Sequence, residues 1–119
     1  MNPQFKRGII ELCVLSTLAD RDDYGYEIMS QLSKHININE NTIYPILRRL
    51  TKEGYFQTYL QESNEGAPRK YYQMTKKGFI YYFELREQWD EFIGGVYHII
   101  NQGGKKNEDI FRRFKERTD

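Results

Sequence analysis

The sequence predicts a mainly α-helical fold with one small β-hairpin. Apolar residues recur with a helical period in the segments before Gly54. Between Tyr55 and Met74 the apolar and polar residues instead alternate, which is typical of strands. The helical period returns at Lys76 and continues to Asn101. Within 119 residues, this order fits one small domain with an appended helix.

Composition limits the class of protein. Apolar residues make up 39% of the chain, enough for a modest core. A single cysteine, Cys13, with no long apolar run and no charged-then-apolar leader, predicts a soluble cytoplasmic protein without disulfides or membrane association. The net charge is only +1, so any basic surface must come from where the basic residues are placed. Ten tyrosines exceed the needs of a small core and favour an interface or a ligand cavity.

Two helices precede the most informative segment. The first, Phe5 to Asp20, is apolar on more than one face and includes Ile9 and Leu12. So wide an apolar arc predicts that one side packs in the core and another packs against a partner chain. A charged break follows, in which Asp22 or Asp23 is expected to cap a second helix from about Tyr24 to Lys34.

The third helix carries the main functional signal. Asn39 is a suitable N-cap and Gly54 a suitable C-terminal stop for a helix with a regular apolar stripe. The stripe consists of Ile43, Ile46, Leu47 and Leu50. The other side presents polar and basic residues, namely Asn41, Thr42, Tyr44, Pro45, Arg48, Arg49 and Lys52. Arg and Asn can pair with base edges and Lys can neutralise phosphate, so this face suits the DNA major groove. An ordinary surface helix with solvated charges is the alternative.

The alternating segments predict the two strands of a hairpin, Tyr55 to Glu62 and Arg69 to Met74. A polar loop with Gly66 and Pro68 joins them and is followed at once by Arg69 and Lys70. Beside two helices joined by a short link, such a basic hairpin completes a winged helix-turn-helix and is placed to touch the DNA backbone or minor groove. A mobile hairpin tip without function is the alternative.

Thr75 is expected to cap the long helix that begins at Lys76. Lys76 and Lys77 lie in its first turn, where the helix dipole disfavours cations, so phosphate contact is favoured over a tolerated surface position. Further along, apolar residues follow spacings of three and four that are typical of helices packed side by side. Because so small a domain offers this seam no partner, we expect a homodimer. The predicted dimer contacts are Ile9, Leu12, Leu85, Trp89, Phe92, Val96 and Ile99.

These features divide the chain into three parts. Residues 1–75 are predicted to form the winged helix-turn-helix, residues 76–103 the dimerisation helix, and residues 104–119 a charged tail. Ile110, Phe111 and Phe114 occur at helical spacing in the tail, which predicts either a short docking helix or a frayed end.

Several motifs together resemble the PadR family of bacterial transcription regulators. They are Tyr24 to Ile28, Asn39 to Leu50, Gly54, Gly66 to Tyr72 and Met74 to Gly78. The single long C-terminal helix is similar to the short branch of that family, which includes a lactococcal multidrug-binding regulator. The resemblance implies a dimeric repressor, often of efflux or stress genes, that an aromatic compound can release from DNA. Asn41 and Ile43 stand where the family often has Gly and Leu, and the tail after Gly104 is not covered.

Trp89 is the only tryptophan and lies in the middle of the predicted seam. The resemblance implies that it faces its symmetry mate across the dimer and stacks on a flat aromatic ligand. The ligand-binding set on this hypothesis is Trp89, Phe92, Tyr82, Tyr97 and His98. The alternative is that Trp89 only fills the interface.

Enzyme chemistry and cofactors are not expected. Only His35, His98 and Cys13 are available as histidine or cysteine ligands, and no phosphate-binding glycine loop or nucleophile motif occurs. The remaining competitor to a regulator of transcription is a winged helix that binds proteins and no DNA.

Overall fold

The computed structural model describes the backbone of residues 3–118 and the side chains of residues 7–116. The side chain of Phe5, with which the predicted first helix began, lies outside the described residues. The elements in chain order are α1 (Pro3–Asp20), β1 (Asp23–Tyr24), α2 (Gly25–Ser33), α3 (Glu40–Lys52), β2 (Phe56–Ser63), β3 (Gly66–Met74), α4 (Lys76–Ile100) and α5 (Gly104–Thr118). The predicted fold class, mainly helical with a winged helix-turn-helix, is confirmed.

The chain forms two compact units, an N-terminal unit up to Arg86 and a C-terminal unit from Glu87. In the N-terminal unit, helices α1, α2 and α3 share one apolar core with the inner face of the sheet. Leu15, Ile28 and Leu47 are completely buried there, and Phe56 and Tyr72 contribute from the strands. The predicted stripe of α3 is part of this core, because Ile43, Ile46, Leu47 and Leu50 are all buried.

Helix α3 ends as its sequence predicts. Gly54 has a φ of +86°, a conformation that glycine adopts without steric cost. The N–H groups of Gly54 and Tyr55 donate to the carbonyls of Thr51 and Leu50 at 3.0 and 2.9 Å, which is the Schellman motif. The chain is thereby turned directly into the wing.

The sheet is antiparallel, with the strand order β1, β3, β2. The predicted hairpin is confirmed, but its strands extend to Ser63 and Gly66, so the tip is shorter than expected. Strand β1 was not predicted. The predicted cap by Asp22 or Asp23 is wrong, because Tyr24 is the N-cap of α2 and makes no side-chain cap bond. Asp23 is instead buried and paired with Tyr72 on β3.

Helix α4 begins as predicted, because the Thr75 hydroxyl accepts a hydrogen bond from the Gly78 N–H at 3.0 Å. In the C-terminal unit, several large apolar side chains of α4 are exposed, including Phe92 at 59% and Ile99 at 67%. The tail is helical as α5, and its Phe111 and Phe114 are also exposed. Between residues 3 and 118, no helix combines the length and apolar character needed to cross a membrane.

Candidate nucleic-acid interface

Helix α3 separates its two faces cleanly. Opposite the buried stripe, the side chains of Asn41, Tyr44, Pro45, Arg48 and Lys52 are exposed, and Thr42 is half-buried. Asn39 is at the N-cap, and its carbonyl oxygen accepts hydrogen bonds from the Thr42 and Ile43 N–H groups. The helix therefore presents amide, phenol and guanidinium groups on a rigid support, which is the arrangement that base-edge recognition requires.

Tyr44 rests against the start of α2. A Cβ atom added at Gly25 would lie 2.7 Å from Cε1 of the Tyr44 ring. Glycine at this position therefore lets α2 approach α3 closely. Tyr44 keeps 37% of its surface exposed, so the ring lies against the helix-turn-helix and still faces outward.

Arg49 forms ion pairs with two carboxylates of the same chain. Its guanidinium forms an ion pair with Glu11 on α1 and a second one, at 3.3 Å, with Glu53 one turn along α3. Partial burial lowers the pKa of Arg49, but the two carboxylates more than offset this and raise it overall. The predicted DNA contact of Arg49 stays a prediction, and it would require the guanidinium to leave these carboxylates.

The basic residues of the wing differ from each other. Arg69 is half-buried, forms an ion pair with Glu65 at 3.0 Å and lies 4.6 Å from the centre of the Tyr24 ring. Lys70 is exposed, with its ammonium 5.6 Å from the centre of the Tyr72 ring. Lys70 is therefore the more available of the two for a phosphate.

The two lysines at the start of α4 also differ. Lys77 donates a hydrogen bond of 2.6 Å from Nζ to the Glu53 carbonyl, and its ammonium lies 4.8 Å from the centre of the Tyr55 ring. This contact satisfies a carbonyl at the end of α3, so Lys77 has a structural role that its sequence position did not indicate. Lys76 is exposed.

The predicted ligand-binding residues lie in different environments. Tyr82 is 4% exposed and belongs to the core of the N-terminal unit. Its hydroxyl lies 3.3 Å from Ser16 Oγ and accepts a hydrogen bond of 2.9 Å from Arg86. In the C-terminal unit Trp89 is half-buried, whereas Phe92, Tyr97 and His98 are exposed. Tyr82 therefore belongs to the first unit and the other four residues to the second, and their shared role in ligand binding stays a prediction.

A row of tyrosines crosses the outer face of the sheet. Tyr71 on β3 lies between Tyr24 on β1 and Tyr59 on β2, with ring centres 5.4 and 5.6 Å apart. The Tyr59 hydroxyl donates to Asp22 at 2.8 Å. The sequence predicted the strands that carry Tyr59 and Tyr71 but not the strand that carries Tyr24, so the row is seen only once the three strands pair. Elsewhere among residues 3–118, no group of three acidic, histidine or cysteine side chains could hold a metal ion.

A helix-turn-helix with a basic outer face, flanked by an antiparallel wing, defines a winged-helix DNA-binding protein. Residues 14–84 match the model of the transcriptional regulator PadR-like family. The chain belongs to this family, as the resemblance predicted, and is a DNA-binding regulator of transcription and not an enzyme.

Individual relatives agree with this assignment. An uncharacterised protein of Lysinibacillus sphaericus is 35% identical over 89 residues, which are 71% of this chain and 82% of the relative. The transcriptional regulator Rv3488 of Mycobacterium tuberculosis is 30% identical over 105 residues, covering 84% and 97% of the two chains. The crystal structure of a PadR-like transcriptional regulator from Bacillus cereus superimposes with a TM-score of 0.75 at 33% identity, over 82% of this chain and 96% of that one.

Proposed function

We propose that the protein is a homodimer that binds a two-fold symmetric operator and represses transcription. The observation that carries this proposal is the two-sided character of α3, whose apolar stripe is buried while Asn41, Arg48 and Lys52 remain exposed. In a helix-turn-helix dimer, each recognition helix reads one half-site, and the half-sites are about 34–36 Å apart. Repression of efflux or stress genes is the role that the family resemblance implies.

The exposed residues of the interface have separate roles on this proposal. Arg48 and Asn41 have the chemistry to read base edges, and Lys52 that to neutralise phosphate. Thr42 and Tyr44 flank this centre, and Lys70 and Lys76 reach phosphates outside it. Arg49, Arg69 and Lys77 already have partners within the chain and contribute to DNA binding only where they exchange them.

The dimer is supported by apolar surface that the single chain leaves uncovered. Phe92 and Ile99 are exposed on α4, while Trp89 and Val96 on the same seam are half-buried. Exposed apolar area of this kind is rarely left in water, and a second copy of the same helix would cover it. On α1, Ile9 and Leu12 are also half-buried, so that helix has apolar surface of its own to offer a partner.

A flat aromatic effector is proposed to stack on Trp89 near the two-fold axis, with Phe92, Tyr97 and His98 as the available neighbours. Its binding would change the angle between the two long helices and so the spacing of the recognition helices. Tryptophan emission measured during a titration with planar dyes and phenolic acids tests this. A compound that releases DNA equally well from Trp89→Ala would exclude the effector site.

Fluorescence anisotropy tests DNA binding itself, with a labelled duplex from the region upstream of the gene and a salt series. A DNA-binding dimer should lose affinity steeply with salt, since each phosphate neutralised adds about 0.9 to the slope of log affinity against log salt concentration. A duplex of scrambled sequence is the control. A winged helix that binds only proteins would show neither a salt slope nor a preference between the two duplexes.

A further inference from the structure

Glu11 is a buried carboxylate that connects three helices. It lies on α1, is 9% exposed, and uses its two oxygens for different partners. Oε2 is paired with Arg49 on α3. Oε1 accepts a hydrogen bond of 2.9 Å from the hydroxyl of Tyr81 on α4. One side chain therefore holds the recognition helix and the first part of the long helix at the same point.

Further contacts at the same junction reinforce this connection. The Tyr81 ring stacks on Tyr55, the second residue after Glu53, with ring centres 4.3 Å apart and planes at 15°. Lys77 donates to the Glu53 carbonyl, as described above. At Gly78, an added Cβ would lie only 2.1 Å from the Tyr55 carbonyl oxygen, so the first turn of α4 touches the backbone that ends α3. The end of α3 and the start of α4 therefore cannot shift independently.

A contribution to folding stability does not by itself explain why a carboxylate occupies the position of Glu11. Taking a carboxylate out of water is costly, and apolar residues of similar volume would often stabilise such a site equally well. A charged, directional contact does what an apolar one cannot, because its hydrogen bonds fix the orientation of both partners. The half-exposed guanidinium of Arg49 and the phenol of Tyr81 are oriented by the same carboxylate.

We propose that Glu11 is a positioning residue that fixes the orientation of α3 against the start of α4, and thereby the half-site spacing that the protein accepts. The inference rests on the proposed dimer, because α4 carries the contacts between the two copies. Glu11 acts through its two partners, Tyr81 on α4 and Arg49 on α3. If α4 changes its angle, this junction transmits the change to the DNA-reading face.

The test uses the full-length chain and an operator selected from random-sequence duplexes. Two further duplexes have the central spacer lengthened or shortened by one base pair. Affinities for the three duplexes are compared for the parent, Glu11→Gln and Tyr81→Phe. Asp20→Asn is the matched control, because it also converts a carboxylate of α1 to an amide, at an exposed position. Circular dichroism and thermal unfolding check that each variant is folded.

We expect the parent to prefer the selected spacing and both variants to reduce that preference by about three- to tenfold. The double variant should lose no more than the larger single effect, since both changes disable one junction. Asp20→Asn should keep the preference of the parent. Should Glu11→Gln fail to fold, Tyr81→Phe decides the matter, because it removes one hydroxyl and keeps the stacked ring.

Equal loss of affinity on all three duplexes, or no loss on any, would overturn the positioning role while leaving the proposed function intact. Failure of the parent to select any operator would instead overturn the proposed function, and the positioning role with it. Arg49→Ala separates positioning from direct contact. If Arg49 acts through Glu11, Arg49→Ala should reduce the spacing preference as Glu11→Gln does. If Arg49 acts only by touching phosphate, the variant should weaken binding to all three duplexes alike and reduce the salt slope.

Discussion

The two units of the chain differ in how far they bury their apolar residues. In the N-terminal unit, Leu47 is completely buried within a core to which four helices and the sheet contribute. In the C-terminal unit, Ile99 is 67% exposed although it belongs to an equally regular apolar pattern. The first unit builds its core within one copy of the chain, although Leu60, Ile80 and Phe83 stay exposed there. The second leaves large apolar side chains exposed, and on the proposed function a second copy of the chain covers them.

One sequence pattern therefore serves two purposes in this chain. A helical apolar stripe specifies that a face must be covered, but not whether the cover comes from the same chain. The two units should therefore respond differently to substitution. Changes in the N-terminal unit should alter the stability of a single chain, whereas changes on exposed α4 positions should alter association.

The largest effect is expected from placing charge on the exposed seam. Phe92→Asp combined with Ile99→Asp should give a monomer, because each dimer would otherwise bury four carboxylates. Loss of the second reading helix should then weaken operator binding by about a hundredfold or more. Light scattering gives the mass, and anisotropy gives the affinity. Leu85 is less suited to this test, because it packs against the core of the N-terminal unit.

Asn101→Asp combined with Gln102→Asp provides the matched control, since it adds the same charge at exposed positions outside the seam. This control should remain a dimer. A parent that is itself a monomer at micromolar concentration would contradict the comparison between the units.

Next in size is a substitution in the closed core. Leu47→Ala should lower the free energy of unfolding by roughly 2–5 kcal/mol, since it leaves a cavity among fully buried side chains. Urea denaturation followed by circular dichroism measures this. Leu60→Ala on the wing, where the side chain is 72% exposed, should change stability by less than about 0.5 kcal/mol. If both variants lowered the free energy of unfolding by similar amounts, Leu47 would not be buried as described.

Substitutions on the outer face of α3 should have smaller effects, confined to DNA binding. Arg48→Ala should weaken binding to the operator by roughly 1–3 kcal/mol and relax its sequence preference. Lys52→Ala should weaken all duplexes alike and reduce the salt slope by about 1. Lys34→Ala, an exposed lysine at the end of α2, is the control. If both α3 variants bound DNA like the parent, the assignment of this face would be wrong.

The smallest effect concerns pH. Burial first, and then the hydrogen bond to Glu11, raise the pKa of Tyr81 to about 12. The neutral phenol is thus favoured in the folded state, so its contribution to stability is complete below pH 10 and is lost as pH rises toward 12. Thermal unfolding should therefore show the parent losing its advantage over Tyr81→Phe across that range. Tyr97→Phe, which removes an exposed phenol, is the control, and an advantage that persisted beyond pH 12 would contradict this sign.

Local patterns predicted much of the fold. The helix start at Asn39, the stop at Gly54 and the cap at Thr75 depend on a few adjacent residues. All three positions are confirmed, although the Asn39 side chain makes no cap hydrogen bond. Strand β1 was missed because two residues cannot show a period, and its pairing with β3 depends on residues far along the chain. The helical state of the tail was left undecided because its charged composition fits both alternatives.

In the candidate site, the sequence predicted which face of α3 is exposed, but not which side chains of that face have partners within the chain. The exposed polar face of α3 follows from its period, but the engagement of Arg49 does not. Its partner Glu11 is 38 residues away and on another helix, so no local pattern relates the two. The hydrogen bond from Lys77 to the carbonyl of Glu53, 24 residues away, was likewise not visible in any local pattern, and the predicted phosphate contact of Lys77 stays a prediction.

The contact between Gly25 and Tyr44 has a consequence for how the specificity of this protein can be redesigned. A methyl group at position 25 would meet the edge of the Tyr44 ring at 2.7 Å, and the ring has room to yield because it is partly exposed. Gly25→Ala would therefore turn that ring on the proposed DNA-reading face without altering any residue of α3. Library screens restricted to α3 would overlook position 25, although a substitution there could change which operator the protein prefers.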